Sequence, residues 1–131
     1  MKKIAHFLRL FVAIIALLSV NACTVVAQNA LAPAAFEAKI AASNVQLVDV
    51  RTPQEFANGH LENAKNVNFN DAEFKQKIAL LDKSKPIAVY CGVGGRSGKA
   101  SKILAELGFT DIADLAGGIT AWSAANKKVV K

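Results

Sequence analysis

The sequence predicts an α/β domain in which a small, mainly parallel sheet is flanked by helices on both faces. Short apolar runs typical of buried strands alternate with segments whose apolar residues recur three and four positions apart, as on one face of a helix. Of the 131 residues, 53% are hydrophobic and 20% are charged, which excludes an intrinsically disordered chain. The length suits one domain, and about 100 residues can bury a core without disulfide bonds.

The first predicted helix and strand follow Pro33. Phe36 and Ile40 lie four positions apart, so both face the same side of a helix. Residues 46–50 carry one leucine and two valines in five positions, which is typical of a buried strand.

A second, short helix is predicted from a capping box. Thr52 and Glu55 have the required spacing, Pro53 occupies the first helical position, and Asn58-Gly59 is expected to end the helix. Residues 64–69 then suit a short strand. The remaining predicted elements are, in chain order, a helix capped by Asn70 and Glu73, a strand over 86–90, a helix from a glycine-rich turn to Gly108, a strand over 112–115 and a helix over 118–126.

The amino-terminal residues 1–27 are predicted to be a signal peptide, and the folded domain is placed at residues 33–127. Lys2, Lys3 and Arg9 give the segment a positive start, and an apolar run follows from residue 10. That run is too short to cross a bilayer unless residues 4–8 join it.

Two cleavage sites remain open. Val25-Val26-Ala27 fits cleavage before Gln28, whereas Val20-Asn21-Ala22-Cys23 resembles a lipobox that would be cut before a lipidated Cys23. Both alternatives place the domain in the periplasm or at the cell envelope, in soluble or lipid-anchored form.

The charge pattern gives no indication of nucleic-acid binding. The formal net charge is +6, but three of the basic residues and none of the acidic ones lie before residue 28, leaving 13 basic against 10 acidic residues, or +3. The remaining basic residues are scattered singly rather than clustered into a stripe.

Cys91 is the candidate nucleophile. It directly follows the most apolar predicted strand, at the end where ligands bind in open α/β folds. Gly92, Gly94 and Gly95 allow the backbone to curl with its N–H groups toward the sulfur, and Arg96 and a helix amino terminus add positive charge. These features favour the thiolate over the thiol.

Other interpretations of this segment are less well supported. A buried structural cysteine is the simplest alternative, because free cysteines are often buried. A Walker A loop would need glycine at Val93 and a hydroxyl residue at Ala100, and the dinucleotide-binding pattern would need glycine at Ser97. No metal site is expected, because His60 and Cys91 are the only soft ligands after export.

Three ordered segments resemble the rhodanese-like domain family. They are the signature block at residues 47–67, the active-site loop at residues 90–97 and the closing block Leu115-Ala116-Gly117-Gly118-Ile119 with Trp122. The resemblance covers about residues 33–127 and is greatest to exported single-domain sulfurtransferases of the phage shock protein E type.

The resemblance implies a thiosulfate sulfurtransferase that needs no cofactor and carries sulfur as a persulfide on Cys91. The backbone of Gly92, Val93, Gly94 and Gly95 and the side chain of Arg96 would bind small anionic donors, and a thiol or cyanide would accept the sulfur. Four residues between cysteine and arginine go with sulfur transfer in this family, and five with phosphatases and arsenate reductases. A non-enzymatic persulfide carrier or interaction module is the main alternative.

Four further positions carry expectations. Asp49 could hold the loop and Arg51 could pair with Glu55, but structural roles are favoured for both. The resemblance places His60 in the framework of the fold. Trp122 is expected in the core, and residues 127–131 as a solvated, frayed end.

Overall fold

The structure is a computed structural model that describes residues 27–131. Except for Ala27, the predicted signal peptide, including Cys23, lies outside the described residues. Five strands and five helices alternate along the described chain. They are β1 (Ala27–Leu31), α1 (Pro33–Ile40), β2 (Gln46–Asp49), α2 (Pro53–Ala57), β3 (Lys65–Asn66), α3 (Phe74–Ala79), β4 (Ile87–Tyr90), α4 (Gly95–Glu106), β5 (Asp111–Leu115) and α5 (Gly118–Ala124).

The five strands form one sheet in the order β1-β5-β4-β2-β3, and every pairing is parallel. The predicted α/β class is therefore confirmed. Strand β4 is central, with β5 and β2 as its neighbours. Parallel strands all end at the same edge of a sheet, so the segments that follow β2, β4 and β5 converge there.

Helices cover both faces of the sheet, which explains the uninterrupted apolar run of β4. Ile87 and Val89 pack in a core with α3 and α4, whereas Ala88 and Tyr90 pack on the opposite face with α1 and α5. On that second face Phe36 meets Trp122 edge to face, with ring centroids 6.3 Å apart. The expected core position of Trp122 is confirmed.

Strand β1 was not predicted from the sequence. It pairs along its whole length with β5, from Ala27 opposite Asp111 to Leu31 opposite Leu115. Two polar residues, Gln28 and Asn29, weaken its apolar pattern. An edge strand can form from such a sequence because its stability comes mainly from backbone pairing with its single neighbour.

Three predicted boundaries differ from the structure by more than one residue. The strand expected over 64–69 pairs regularly only at Lys65–Asn66. Helix α3 begins at Phe74, because Asn68 and Asp71 hold a turn ahead of it. The last helix ends at Ala124 rather than at residue 126.

The carboxyl terminus is attached to the domain, so the expectation of a frayed end was wrong. His60 and Val130 exchange two backbone hydrogen bonds, each of 2.9 Å. The indole N–H of Trp122 also donates to the carbonyl of Lys128 at 2.9 Å. Within the described part of the chain, no helix is long and apolar enough to cross a membrane.

Candidate active site

Cys91 lies immediately after β4, at the carboxyl edge of the sheet, as the sequence predicted. Its side chain belongs to the core between the sheet and α4, and the residue is 1% exposed. Gly92, Val93 and Gly94 form the turn that follows. Gly95 and Arg96 lie in the first turn of α4 rather than in the loop.

Hydrogen-bond donors surround the sulfur. The Gly94 N–H donates to Sγ at 3.1 Å, and the Ser97 hydroxyl lies 3.4 Å from Sγ. Burial raises the pKa of the Cys91 thiol, but the Ser97 hydroxyl and the N–H groups of Ser97, Gly94 and Val93 together lower it by more. The pKa therefore lies below its ordinary value, and the arrangement favours a thiolate.

Ser97 is a site residue whose role could not be predicted from its place in the segment at residues 90–97. It is fully buried and begins the inward face of α4, which continues through Ala100, Ser101 and Leu104. The spacing of three and four positions among these residues could have revealed Ser97 from the sequence. The helix directly follows the Cys91 loop, so its first inward residue must lie against the end of β4.

Arg96 lies beside the loop and forms a salt bridge with Glu55. Its two terminal nitrogens donate to the two carboxylate oxygens of Glu55, each at 2.8 Å. The guanidinium holds the pKa of Glu55 at about 2, despite the opposing effect of burial. A Cβ atom added at Gly92 would lie 3.4 Å from Nη2 of Arg96, so the charged group adjoins the loop backbone.

The predicted capping box explains how Glu55 is positioned. The N–H of Thr52 donates to Glu55 Oε2 at 3.0 Å, and the N–H of Glu55 donates to the Thr52 hydroxyl at 3.3 Å. The local motif that begins α2 therefore also aims a carboxylate at Arg96.

Arg51 does not pair with Glu55, and its contacts agree with the structural role that the sequence favoured. Arg51 instead pairs with Asp49, with Nη2 and Oδ2 2.6 Å apart, and both residues are buried. The same nitrogen donates to the carbonyl of Gly59 at 2.7 Å. Asp49 thus holds Arg51 rather than the loop, because the buried carboxylate needs the nearest available cation.

His60 belongs to the framework beside this ion pair. Its ring stacks on Phe56 with centroids 3.7 Å apart, and Nδ1 lies 3.0 Å from the Phe56 carbonyl oxygen. These contacts agree with the structural position that the resemblance implied.

A turn at Gly117-Gly118, at the start of α5, contacts the backbone of the Cys91 loop. The N–H groups of Ile119 and Thr120 donate to the carbonyls of Cys91 and Gly92, at 2.9 and 3.1 Å. Gly118 has φ +59°, and a Cβ atom there would lie 2.5 Å from the backbone of Cys91 and Gly92. Only glycine allows this approach, which fixes the loop against α5.

An open groove of about 430 Å³ lies between α2 and the start of α5, and neither Cys91 nor the loop residues line it. Its walls include Glu55, which holds Arg96, and Ile119 and Thr120, which hold the loop backbone. Val93 projects from the loop with 73% of its surface exposed. The groove therefore borders the residues that hold Arg96 and the loop, rather than the sulfur itself.

The rhodanese-like domain model matches residues 32–125. The chain belongs to the rhodanese-like domain family. It is 39% identical over 85 residues to the thiosulfate sulfurtransferase GlpE of Shewanella oneidensis, covering 65% of this chain and 82% of that protein. It is 35% identical over 72 residues to the thiosulfate sulfurtransferase PspE of Escherichia coli, covering 55% and 68% of the two chains.

Solved structures agree with this membership. The rhodanese-related protein of Thermoplasma volcanium superimposes with a TM-score of 0.69 at 31% identity, covering 78% of this chain and 97% of that one. The three segments that carried the family resemblance meet in this rhodanese-like domain around Cys91. The first contributes Glu55, the second contains the loop, and the third contributes the Gly117-Gly118 turn.

Proposed function

We propose that this rhodanese-like domain is a sulfurtransferase in which Cys91 carries the transferred sulfur. The observation that carries the proposal is the environment of its sulfur, which is buried yet surrounded by donors that lower the thiol pKa. Such an environment activates a cysteine as a nucleophile. Relatives named thiosulfate sulfurtransferases support the same chemistry.

The first half-reaction loads the cysteine. The Cys91 thiolate attacks the outer sulfur of thiosulfate or a similar anionic donor, and the sulfur–sulfur bond of the donor breaks. Sulfite leaves with the electron pair of that bond, and the outer sulfur remains on Cys91 as a persulfide. The negative charge on this sulfur is stabilised by N–H groups of the Gly92–Gly95 segment.

The second half-reaction unloads the cysteine. A thiolate or cyanide attacks the outer sulfur, forms a bond to it and releases Cys91 as a thiolate. A thiol acceptor loses its proton to solvent before the attack. The enzyme ends in its starting state, so the transfer needs neither a metal nor an organic cofactor.

Arg96 is the proposed electrostatic element for anionic donors. Its side chain is 28% exposed and lies beside Gly92, so part of the positive charge is accessible to solvent next to the loop. Glu55 neutralises part of that charge while holding the guanidinium in place. We therefore assign Gly92, Val93, Gly94 and Gly95 to backbone binding of the donor and Arg96 to attraction of its charge.

Replacing the nucleophile tests the proposal. The wild-type protein incubated with thiosulfate should gain about 32 Da, one sulfur atom, on the peptide that contains Cys91, and dithiothreitol should remove it. Cys91→Ser should fold but should neither gain this mass nor form thiocyanate from thiosulfate and cyanide. Cys23→Ser is the matched control and should retain both properties.

Either of two results would contradict the proposal. One is thiocyanate formation by a folded Cys91→Ser variant. The other is an active wild-type protein that never carries sulfur on Cys91.

We also propose that the domain is exported to the cell envelope. The basic start and apolar run before residue 28 support this assignment. Cleavage before Gln28 would remove only Ala27 from β1, whereas cleavage before Cys23 would leave a lipid-anchored chain with β1 complete. The mass of the mature amino-terminal peptide from membrane and periplasmic fractions distinguishes the two.

A further inference from the structure

A small polar cluster lies between the sheet and α4, next to Cys91. It consists of Ser97 and Ser101 on the inward face of α4 and Asp114 on β5. The Ser101 hydroxyl donates to the backbone oxygen of Ser97 at 2.9 Å, so its hydrogen is used within the helix. The carboxyl group of Asp114 makes no comparable hydrogen bond.

Strand alternation places Asp114 on the same face of the sheet as Cys91. Asp114 is the register partner of Val89, and Val89 and Cys91 point to the same face because they are two residues apart. The carboxyl group lies under α4, since a Cβ atom added at Gly98 would be 3.9 Å from Asp114 Oδ2.

The carboxyl group of Asp114 is incompletely satisfied. Its Oδ1 atom is buried and has no hydrogen-bond partner. Burial raises the pKa of Asp114, and the Ser97 hydroxyl lowers it by a smaller amount. The adjoining cavity of about 160 Å³ is lined by neutral residues apart from Asp114 itself. A half-buried carboxylate with one fully buried, unpartnered oxygen is costly and requires an explanation.

Ser97 lies between the two groups, because its hydroxyl is within reach of the Cys91 sulfur and its chain neighbour Gly98 adjoins Asp114 Oδ2. The hydroxyl has one hydrogen to donate. Sγ of Cys91 lies 3.4 Å from Ser97 Oγ, and the Gly94 carbonyl oxygen lies 3.3 Å from it. No hydrogen bond joins Ser97 to Asp114 in the structure, but rotation of the Ser97 hydroxyl toward an ionised Asp114 would withdraw this hydrogen from the sulfur. A protonated Asp114 can instead donate to Ser97 Oγ, which leaves the hydroxyl hydrogen free for the sulfur.

We propose that Asp114 is a positioning residue that acts through Ser97: its carboxyl group determines whether the Ser97 hydroxyl donates to the Cys91 sulfur or turns away from it. The functional meaning of this coupling rests on the proposed role of Cys91 as nucleophile. The coupling itself is a property of the resting thiol and is measured without sulfur transfer.

The test measures the ionisation of Cys91 in four forms of the full chain. These are the wild type, Asp114→Asn, Ser97→Ala and the double variant. Iodoacetamide alkylation is followed across pH by mass spectrometry of the Cys91 peptide, so that Cys23 does not interfere. Asp111→Asn is the matched control, because Asp111 lies on the same strand but pairs with Lys39 at the surface.

Asp114→Asn should lower the alkylation midpoint by about 0.5 to 1 pH unit, because an amide can donate to Ser97 and carries no negative charge. Ser97→Ala should raise the midpoint, because it removes a donor to the sulfur. In the Ser97→Ala background, the effect of Asp114→Asn should fall to less than half. Asp111→Asn should leave the midpoint unchanged.

Two outcomes overturn the proposal: no shift with Asp114→Asn, or an equal shift with and without the Ser97 hydroxyl. Should Asp114→Asn fail to fold, carbon-13 NMR of the Asp114 carboxyl gives a second test. Its pKa should rise in Ser97→Ala, and an unchanged pKa would refute the coupling. A normal coupling in a protein that transfers no sulfur would refute only the proposed function.

Discussion

Replacing Gly118 by alanine should displace the loop that carries Cys91. The added Cβ atom would lie 2.5 Å from the carbonyl oxygen of Cys91 and from the carbonyl carbon and oxygen of Gly92. Ordinary contacts of this kind need about 1 Å more, so the backbone of the loop must move by about that distance. Because all three atoms belong to the backbone, no side-chain rotation can relieve the overlap.

The expected loss of stability has two parts. An alanine at φ +59° costs about 1 to 2 kcal/mol relative to glycine. Moving the loop breaks the 2.9 Å hydrogen bond from Ile119 N–H to the Cys91 carbonyl, which costs about 1 kcal/mol. The sum of about 2 to 3 kcal/mol should lower the melting temperature by about 10 to 20 °C.

The effect on chemistry should exceed the effect on stability. A displacement of about 1 Å at a reacting atom can reduce a rate by about a hundredfold. Thiosulfate:cyanide turnover and Cys91 alkylation, measured below the melting transition, should both fall. Circular dichroism melting curves give the stability in the same samples.

Gly108→Ala is a control that distinguishes the cost of backbone strain from the cost of steric overlap with the loop. Gly108 also has positive φ, at +100°, but a Cβ atom there meets only the flexible end of Lys83 at 3.9 Å. This control should lose about 1 to 2 kcal/mol and keep the reactivity of Cys91. If Gly118→Ala and Gly108→Ala lose stability and reactivity equally, the loop is not held by the close approach of Gly118.

Three further predictions follow from the contacts of the site and the carboxyl terminus. Arg96→Ala should reduce turnover of anionic donors about ten- to a hundredfold with a change in stability below about 1 kcal/mol, and equal turnover or a lost fold would contradict its role. The pKa of Glu55 is lowered to about 2 in the folded state, so its contribution to stability is present above pH about 4.5 and is lost as the pH falls toward 2. Glu55→Gln should therefore make the melting temperature depend less on pH over that interval. Deleting residues 129–131 removes the two hydrogen bonds between His60 and Val130 and should cost about 1 to 3 kcal/mol in urea unfolding, whereas a frayed end would cost nothing.

The position of Cys91 could be predicted because each local signal agreed with the others. Four consecutive buried residues of β4 gave a continuous apolar run, and three glycines and a helix followed at once. The capping box at Thr52 and Glu55 was equally predictable, since its two reciprocal hydrogen bonds join residues only three positions apart.

The partners of charged residues could not be predicted in the same way. Arg51 and Glu55 are near in sequence, but Glu55 pairs with Arg96, 41 positions further along the chain. Glu55 follows β2 and Arg96 follows β4, so these two charges meet because the two strands are neighbours in the sheet and end at the same edge. Similarly, the sequence marked residues 112–115 as a strand without showing that Asp114 points to the face that holds Cys91.

The parallel arrangement of β1 determines which way the site would face if the chain were exported and attached at its amino-terminal end, as proposed above. Since β1 runs in the same direction as the other strands, the chain enters the sheet at the edge opposite Cys91, about 15 Å away along the strand direction. A lipid or an uncleaved leader attached before residue 27 would therefore hold the domain at the sheet edge opposite Cys91. In either form the edge of the sheet that holds Cys91 and the loop would be directed away from the attachment point, toward dissolved donors and acceptors.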